Sequence, residues 1–293
     1  MKVITSIQEM QQSMREQIKN GKSIGYVPTM GCLHEGHLSL ARRAVKENDV
    51  TVMSVFVNPL QFGPGEDYES YPRSFENDQQ EAERAGIDFL FVPTNAEMYP
   101  RESSFLLKAV KRTDVLCGKS RPGHFDGVAT VVTKLFHIVM PDRVYFGLKD
   151  AQQVAVVDGL INDFNFPIEL VACPTIRELD GLAKSSRNVK LTSSERREAS
   201  HLSKSLRFGR SLLQAGERNS AKLRTEITNL LQAGLSKGEI DYVDVLTYPE
   251  LAHVERAAGR MIVALAVRFP SARLIDNMIW QEGEIDDAND DEC

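Results

Sequence analysis

The chain has 293 residues, 42% of them hydrophobic and 26% charged, with a formal net charge of −6. That length leaves room for two domains of about 150 residues each, while the acidic balance excludes a duplex-binding surface, which needs clustered Lys and Arg. No run approaches the roughly 18 apolar residues of a membrane span, no secretory pattern opens the chain, and Cys32, Cys117, Cys173 and Cys293 form neither a disulfide framework nor a zinc motif, so small-molecule partners and a reducing cytoplasm are expected.

The first strong signal in chain order is a short apolar strand, Ile24 to Val27, running through Pro28-Thr29-Met30-Gly31-Cys32-Leu33-His34-Glu35-Gly36-His37 into a helical pattern at 38–48. A strand, a glycine-containing loop and a helix N-terminus together make an anion site, with free backbone N–H groups and the positive end of the helix dipole aimed at the ligand. His34 and His37 can then donate hydrogen bonds to phosphate oxygens. The competing reading, two ligands of a zinc site, lacks further Cys, His or carboxylate ligands at suitable spacing.

Apolar β-branched runs at Val50–Val57, Phe89–Val92, Arg143–Phe146 and Ile168–Ala172 alternate with helical patterns at 74–86, 127–140 and 150–164. Such alternation predicts a parallel sheet with helices on both faces and a ligand outside the carboxyl ends of the strands. Two further motifs follow strands: Asn58-Pro59-Leu60-Gln61, whose amides can orient a neutral hydroxyl or a carboxylate, and Gly147-Leu148-Lys149-Asp150-Ala151-Gln152-Gln153, offering a point charge for phosphate and another amide. Arg121-Pro122-Gly123-His124 reads as either a binding loop or a turn. Asp78 and Glu81, on the helix at 74–86, are candidate magnesium ligands or solvated surface carboxylates.

After residue 177 the rhythm changes to long helical stretches at 193–215 and 219–235 and strand-like runs at 240–247, 261–268 and 272–276, an α+β unit. Thr192 and Glu195 have capping-box spacing. The polar segment 178–191, carrying Lys184, Ser185, Ser186 and Arg187, reads as a mobile connector that closes over a polyphosphate. The expected organisation is a Rossmann-like domain over 1–177, a smaller α+β lid domain over 178–280, and an acidic disordered tail over 281–293.

The segments P-T-M-G-x-L-H-x-G-H, F-V-N-P-x-Q-F-G, R-P-G-H-F-x-G-V, G-x-K-D-x-Q-Q and R-E-x-D-G-L-A-x-S-S-R-N together resemble those of the pantoate–β-alanine ligases, within the H-x-G-H nucleotidyltransferase superfamily. The resemblance runs from Tyr26 to about Trp280. Ala151 and Lys184 depart from it, standing where an aromatic and a methionine are common. It implies condensation of (R)-pantoate with β-alanine at the expense of ATP, through a pantoyl adenylate, in a homodimer with magnesium on the ATP phosphates. It places His34, His37, Lys149, Ser185, Ser186 and Arg187 around the triphosphate, with His37 as proton donor, and Lys184, though not part of the pattern, would add positive charge there. Met30, Gly31, Gly36, Gly147, Asp150 and Ile176 frame the nucleotide. Gln61, Gln153 and Asn58 grip pantoate, Val131 and Val132 face its gem-dimethyl group, and Gln61 also serves β-alanine. The residues alone leave two alternatives: an adenylyltransferase acting on a phosphorylated acceptor, and a non-catalytic nucleotide sensor.

Overall fold

A computed structural model describes residues 1–283; the acidic stretch 284–293 expected to be disordered lies outside the described residues. The first part of the chain runs β1 (Lys2–Ile4), α1 (Ile7–Lys19), β2 (Ile24–Thr29), α2 (Glu35–Glu47), β3 (Val50–Val55), α3 (Phe75–Arg84), β4 (Phe89–Phe91), α4 (Asn95–Met98), α5 (Leu116–Ser120), α6 (His124–Val139), β5 (Arg143–Gly147), α7 (Ala151–Asp163) and β6 (Glu169–Cys173). The strands form one six-stranded parallel sheet in the order β1-β4-β3-β2-β5-β6. Strand β2 is buried from Ile24 through Val27 because helices cover both faces of the sheet, which is why its sequence is continuously apolar. Strand β1 and helices α1, α4 and α5 have no counterpart in the sequence reading; β1, α4 and α5, with three to five residues each, are too short to display a period.

This strand order places the functional crevice. From β2 the chain winds outward through β3 and β4, then returns to β5 on the opposite side of β2. The loops leaving β2 and β5 therefore diverge from adjacent strands and open a cleft at their carboxyl ends. Those two loops are Met30–His34 and the 3₁₀ turn Leu148–Asp150.

The remainder comprises α8 (Ser193–Gln214), α9 (Ser220–Ala233) and an antiparallel sheet of β7 (Glu239–Thr247), β8 (Arg260–Arg268) and β9 (Arg273–Gln281). Its apolar cluster is built from both helices and all three strands, with Leu202, Leu206, Ile227, Val263 and Leu274 among its members. A smaller cluster joins the two sheets through Val115, Ala151 and Ala155 on one side and Leu246, Tyr248 and Ile262 on the other. The capping box at α8 is present: Thr192 N–H donates to Glu195 Oε2 at 2.7 Å.

Two expectations need correction. Segment 178–191 is not a free connector: Arg177 and Ala183 form an antiparallel bridge, Lys184 N–H donates to the Ile176 carbonyl at 2.9 Å, and Leu182 is buried. Strand β9 does not stop at residue 276 but continues through Asp276 and Asn277, both buried. A run of alternating residues reads as ending at two polar side chains when, as here, their partners lie far away in sequence.

Candidate active site

The loop after β2 bends back through Gly31 and Cys32, both at positive φ (82° and 52°). Beneath it lies Asp78 of α3, 1% exposed, which accepts from Cys32 N–H at 2.9 Å and Leu33 N–H at 2.7 Å. Gly31 N–H donates to Thr29 Oγ1. His34 is the N-cap of α2; its Nδ1 accepts from Gly36 N–H at 3.1 Å, while His34 N–H points to Nδ1 of His37 at 3.4 Å. The rings stack with centroids 4.0 Å apart. Gly36 is required by this packing, because a Cβ there would lie 2.9 Å from His34 Cε1.

These bonds overturn one expectation and sharpen another. The N–H groups of Gly31, Cys32, Leu33, His34 and Gly36 are consumed by protein acceptors, so the loop is not a bare nest of backbone donors. With Nδ1 of each histidine accepting, the neutral tautomer of each carries its proton on Nε2, the remaining ring donor on the cavity that both residues line. Burial, with Lys149 nearby, lowers His34 to about 4; burial, with His34 and Lys149 adjacent, lowers His37 to about 3. Both imidazoles are neutral donors at pH 7.

The cavity, about 220 Å³, is closed on its inner side by amides and apolar side chains. Asn58, 1% exposed, is occupied internally: Nδ2 donates to the Gly127 carbonyl at 3.0 Å and to Gln61 Oε1 at 3.3 Å, and Oδ1 accepts from Tyr99 Oη at 2.8 Å. It holds Gln61, whose own Nε2 rests against Met30 Sδ. The two glutamines at the start of α7 divide their tasks. Gln152 donates to the Arg112 and Val115 carbonyls, fixing the segment before α5, whereas Gln153 lines the cavity together with Val131 and Val132 of α6.

The cavity mouth carries the charges. Lys149 lies 3.6 Å from Asp150, and Arg187 is held by Asp67 through two bonds of 3.2 and 3.0 Å. Gly147, Ile176, Lys184, Ser185 and Ser186 complete the wall, with Tyr71 Oη 3.5 Å from Ser186 Oγ. The nucleotide- and pantoate-directed residues expected from the sequence thus converge on one cavity, except Gly31, which lies behind the loop against Asp78.

Comparison with known proteins gives the family. The model of the family described as pantoate-beta-alanine ligase matches residues 2–279. The chain belongs to the pantoate–β-alanine ligase family. The pantothenate synthetase of Geobacillus thermodenitrificans is 60% identical over 279 residues, covering 95% of this chain and 96% of that protein. The pantothenate synthetase of Halalkalibacterium halodurans is 55% identical over 282 residues, 96% and 99% of the respective chains. The crystal structure of pantothenate synthetase from Thermus thermophilus superposes with a TM-score of 0.90 at 42% identity, covering 95% of this chain and 99% of that one. The ligase from Francisella tularensis, complexed with beta-gamma ATP and beta-alanine, gives 0.78 at 34% identity, with 95% and 97% covered.

Within this ligase fold the second sheet holds the site together through residues that sequence reasoning missed. Asn277 Nδ2 donates to the Leu148 and Lys149 carbonyls at 2.9 and 3.0 Å, fixing the turn that presents Lys149. Asp276 takes a forked pair from Arg177 at 2.7 and 3.0 Å, fixing the hairpin that leads to Ser185 and Ser186. Two adjacent polar residues in an apolar strand pattern were the available signal. The carboxylates proposed for magnesium are placed elsewhere: Asp78 has both oxygens on backbone N–H groups, Glu81 pairs with Arg84 at 2.6 Å, and neither lines the cavity. Among the described residues no group of three potential metal ligands forms. No helix among them is long and apolar enough to cross a membrane.

Proposed function

We propose that this cavity carries out both halves of the ligase reaction with side chains that orient and stabilise charge and with no side-chain base. The overall reaction is the ATP-dependent condensation of (R)-pantoate with β-alanine to give pantothenate, AMP and pyrophosphate. Pantoate, ionised at neutral pH, needs no deprotonation to act as a nucleophile. Its carboxylate oxygen forms a bond to the α-phosphorus while the bond to the pyrophosphate oxygen breaks, and pyrophosphate leaves with the electron pair. Catalysis then requires alignment and relief of phosphate charge.

The single observation carrying these roles is the pair of neutral Nε2–H donors on the same cavity as two cavity-facing amides. His34 and His37 donate to the phosphates at the α2 N-terminus, and His37 acts through a hydrogen bond instead of as an ionised acid. Lys149, Ser185, Ser186 and Arg187 hold the triphosphate, which requires Arg187 to exchange Asp67 for phosphate. Gln61 and Gln153 read pantoate's hydroxyl and carboxylate, with Val131 and Val132 against its methyl groups. In the second half the β-alanine nitrogen bonds to the acyl carbon, the bond to AMP breaks, and the nitrogen releases a proton to solvent. Neutral amides at the inner wall disfavour the alternative, a phosphorylated acceptor, which calls for cations there.

Magnesium enters in this reading as the counter-ion of the ATP substrate, retaining its waters, since among the described residues no group of three potential metal ligands forms. A homodimer in the cytoplasm, with the Rossmann-like unit over 1–177 and the α+β unit acting as lid, completes the proposal. The test is pyrophosphate release from ATP with pantoate alone and with pantoate plus β-alanine. The reading requires a stoichiometric burst in the first case and turnover in the second; release that ignores pantoate would overturn it.

A further inference from the structure

The loop Arg121-Pro122-Gly123-His124 takes no part in the roles assigned so far, yet it forms the junction between two cavities. Arg121 and His124 line both the 220 Å³ cavity of the nucleotide and pantoate and a larger one, about 760 Å³, that opens between the two sheets. We propose that the Arg121 guanidinium is the receptor for the carboxylate of β-alanine, and that Glu66 occupies it until the amino acid arrives. The proposal rests on the ligase reading above and extends it to the second substrate.

What distinguishes β-alanine from other amines is a carboxylate two methylenes from the nucleophilic nitrogen. A site that selects it in a partly enclosed cavity needs a cation near the acyl group, and a guanidinium matches a carboxylate with two parallel bonds. Arg121 already makes that contact: Nε and Nη2 meet the two Glu66 oxygens at 2.7 and 2.6 Å. Its position relative to the acyl site is fixed by His124, whose Nδ1 donates to the Gln61 carbonyl at 2.8 Å and whose Nε2 accepts from Arg121 Nη1 at 3.0 Å. Arg121 Nη2 itself lies 3.4 Å from that same carbonyl. The guanidinium is therefore tied to the residue that reads pantoate.

The other cations at the junction have different partners. Lys149 and Arg187 also line both cavities but are taken by the triphosphate in the reading above, Lys149 beside Asp150 and Arg187 sharing Asp67 with Lys190, and Arg273 pairs with Asp241 on β7. Glu66 follows Gly63-Pro64-Gly65 at the cavity rim and remains about a quarter exposed, so exchanging it for a ligand carboxylate replaces one ion pair by an equivalent one. Entry of β-alanine through the larger cavity would bring its carboxylate to Arg121 and leave its amine toward Gln61.

The test compares the full-length protein with Arg121→Gln and Glu66→Gln, using β-alanine and the uncharged β-alaninamide as acceptors. Loss of a charge-assisted pair predicts that Arg121→Gln raises KM for β-alanine about 10- to 100-fold. KM for β-alaninamide and for pantoate should move far less. Glu66→Gln should lower KM for β-alanine, because a competing carboxylate no longer holds the receptor. Equal losses for the two acceptors, or a rise in the pantoate KM matching that for β-alanine, would overturn the assignment. If Arg121→Gln fails to fold, Glu66→Gln decides: a lower KM supports the receptor, and an unchanged or higher one refutes it. Pyrophosphate release with ATP and pantoate alone separates a failure here from a failure of the ligase reading.

Discussion

Replacing Gly36 by alanine should separate stability from activity in this protein. The added Cβ would sit 2.9 Å from Cε1 and 3.0 Å from Nδ1 of His34, inside van der Waals contact. The imidazole has to swing away, which lengthens the 3.1 Å bond from Gly36 N–H. Two opposing effects then act on α2: alanine improves a helix by up to about 1 kcal/mol over glycine, and loss of an N-cap bond costs about 0.5–2 kcal/mol. The net change is within about 1 kcal/mol, a shift of only a few degrees in Tm for a chain of this size. The rate suffers more. Deleting one donor aimed at developing charge lowers kcat about 10²- to 10³-fold, and a donor displaced instead of deleted should lower it about 10- to 100-fold. Pyrophosphate release at saturating ATP and pantoate, beside a thermal melt, measures both quantities. A Gly36→Ala protein with the parent Tm and a rate within about twofold of the parent would refute the claim that this cap aims the His34 donor.

Alanine at His34 or His37 should cut adenylate formation about 10²-fold or more while ATP binding suffers less, judged by pyrophosphate release against titration with a non-hydrolysable analogue; normal turnover in either variant would remove that histidine from the chemistry. Gln153→Ala should raise KM for pantoate through a loss of about 1–3 kcal/mol with little change in Tm, whereas Gln152→Ala should lower Tm and spare pantoate, since its bonds reach only the 112–118 segment. Asp78→Asn should destabilise the protein by about 1–3 kcal/mol in urea, because one of two buried N–H groups loses its acceptor. Wild-type stability combined with an altered magnesium requirement would instead make Asp78 a metal ligand. Burial lowers the folded-state pKa of His34 and His124 to about 4 and of His37 to about 3. Since the unfolded chain then binds more protons, stability should be complete above the ordinary histidine pKa near 6.5 and fall as pH drops through 4. A urea midpoint that stays constant between pH 7 and pH 4.5 would contradict those shifts.

Much of this protein was decided locally and could be read without coordinates. Continuous apolar runs such as Ile24–Val27 declare strands covered on both faces, the 3.6-residue period declares α2 and α6 through α9, and the Thr192–Glu195 spacing declares a helix start. The motifs at 30–37, 58–61 and 147–153 each follow a strand, so the site's location at the carboxyl ends of a parallel sheet also follows from sequence order. What remained hidden depends on contacts between residues far apart in the chain. Asp78 read as a magnesium ligand or a solvated surface carboxylate because a carboxylate on a helix shows no sign of the backbone it will meet 45 residues earlier, at Leu33. Segment 178–191 looked mobile because its polar residues find their partners elsewhere, Glu178 and Asp180 on Arg196 of α8 and Arg187 and Lys190 on Asp67, while Arg177 just before it is held by Asp276 of β9. The proton position on His34 and His37 belongs to the same class. Spacing brings two imidazoles to one helix start, but only the folded cap determines that each turns Nδ1 inward and keeps Nε2–H for the cavity. Hydrophobic period is a property of neighbours in sequence, whereas the satisfaction of buried polar groups is a property of neighbours in space, and the chemistry of this site rests on the second.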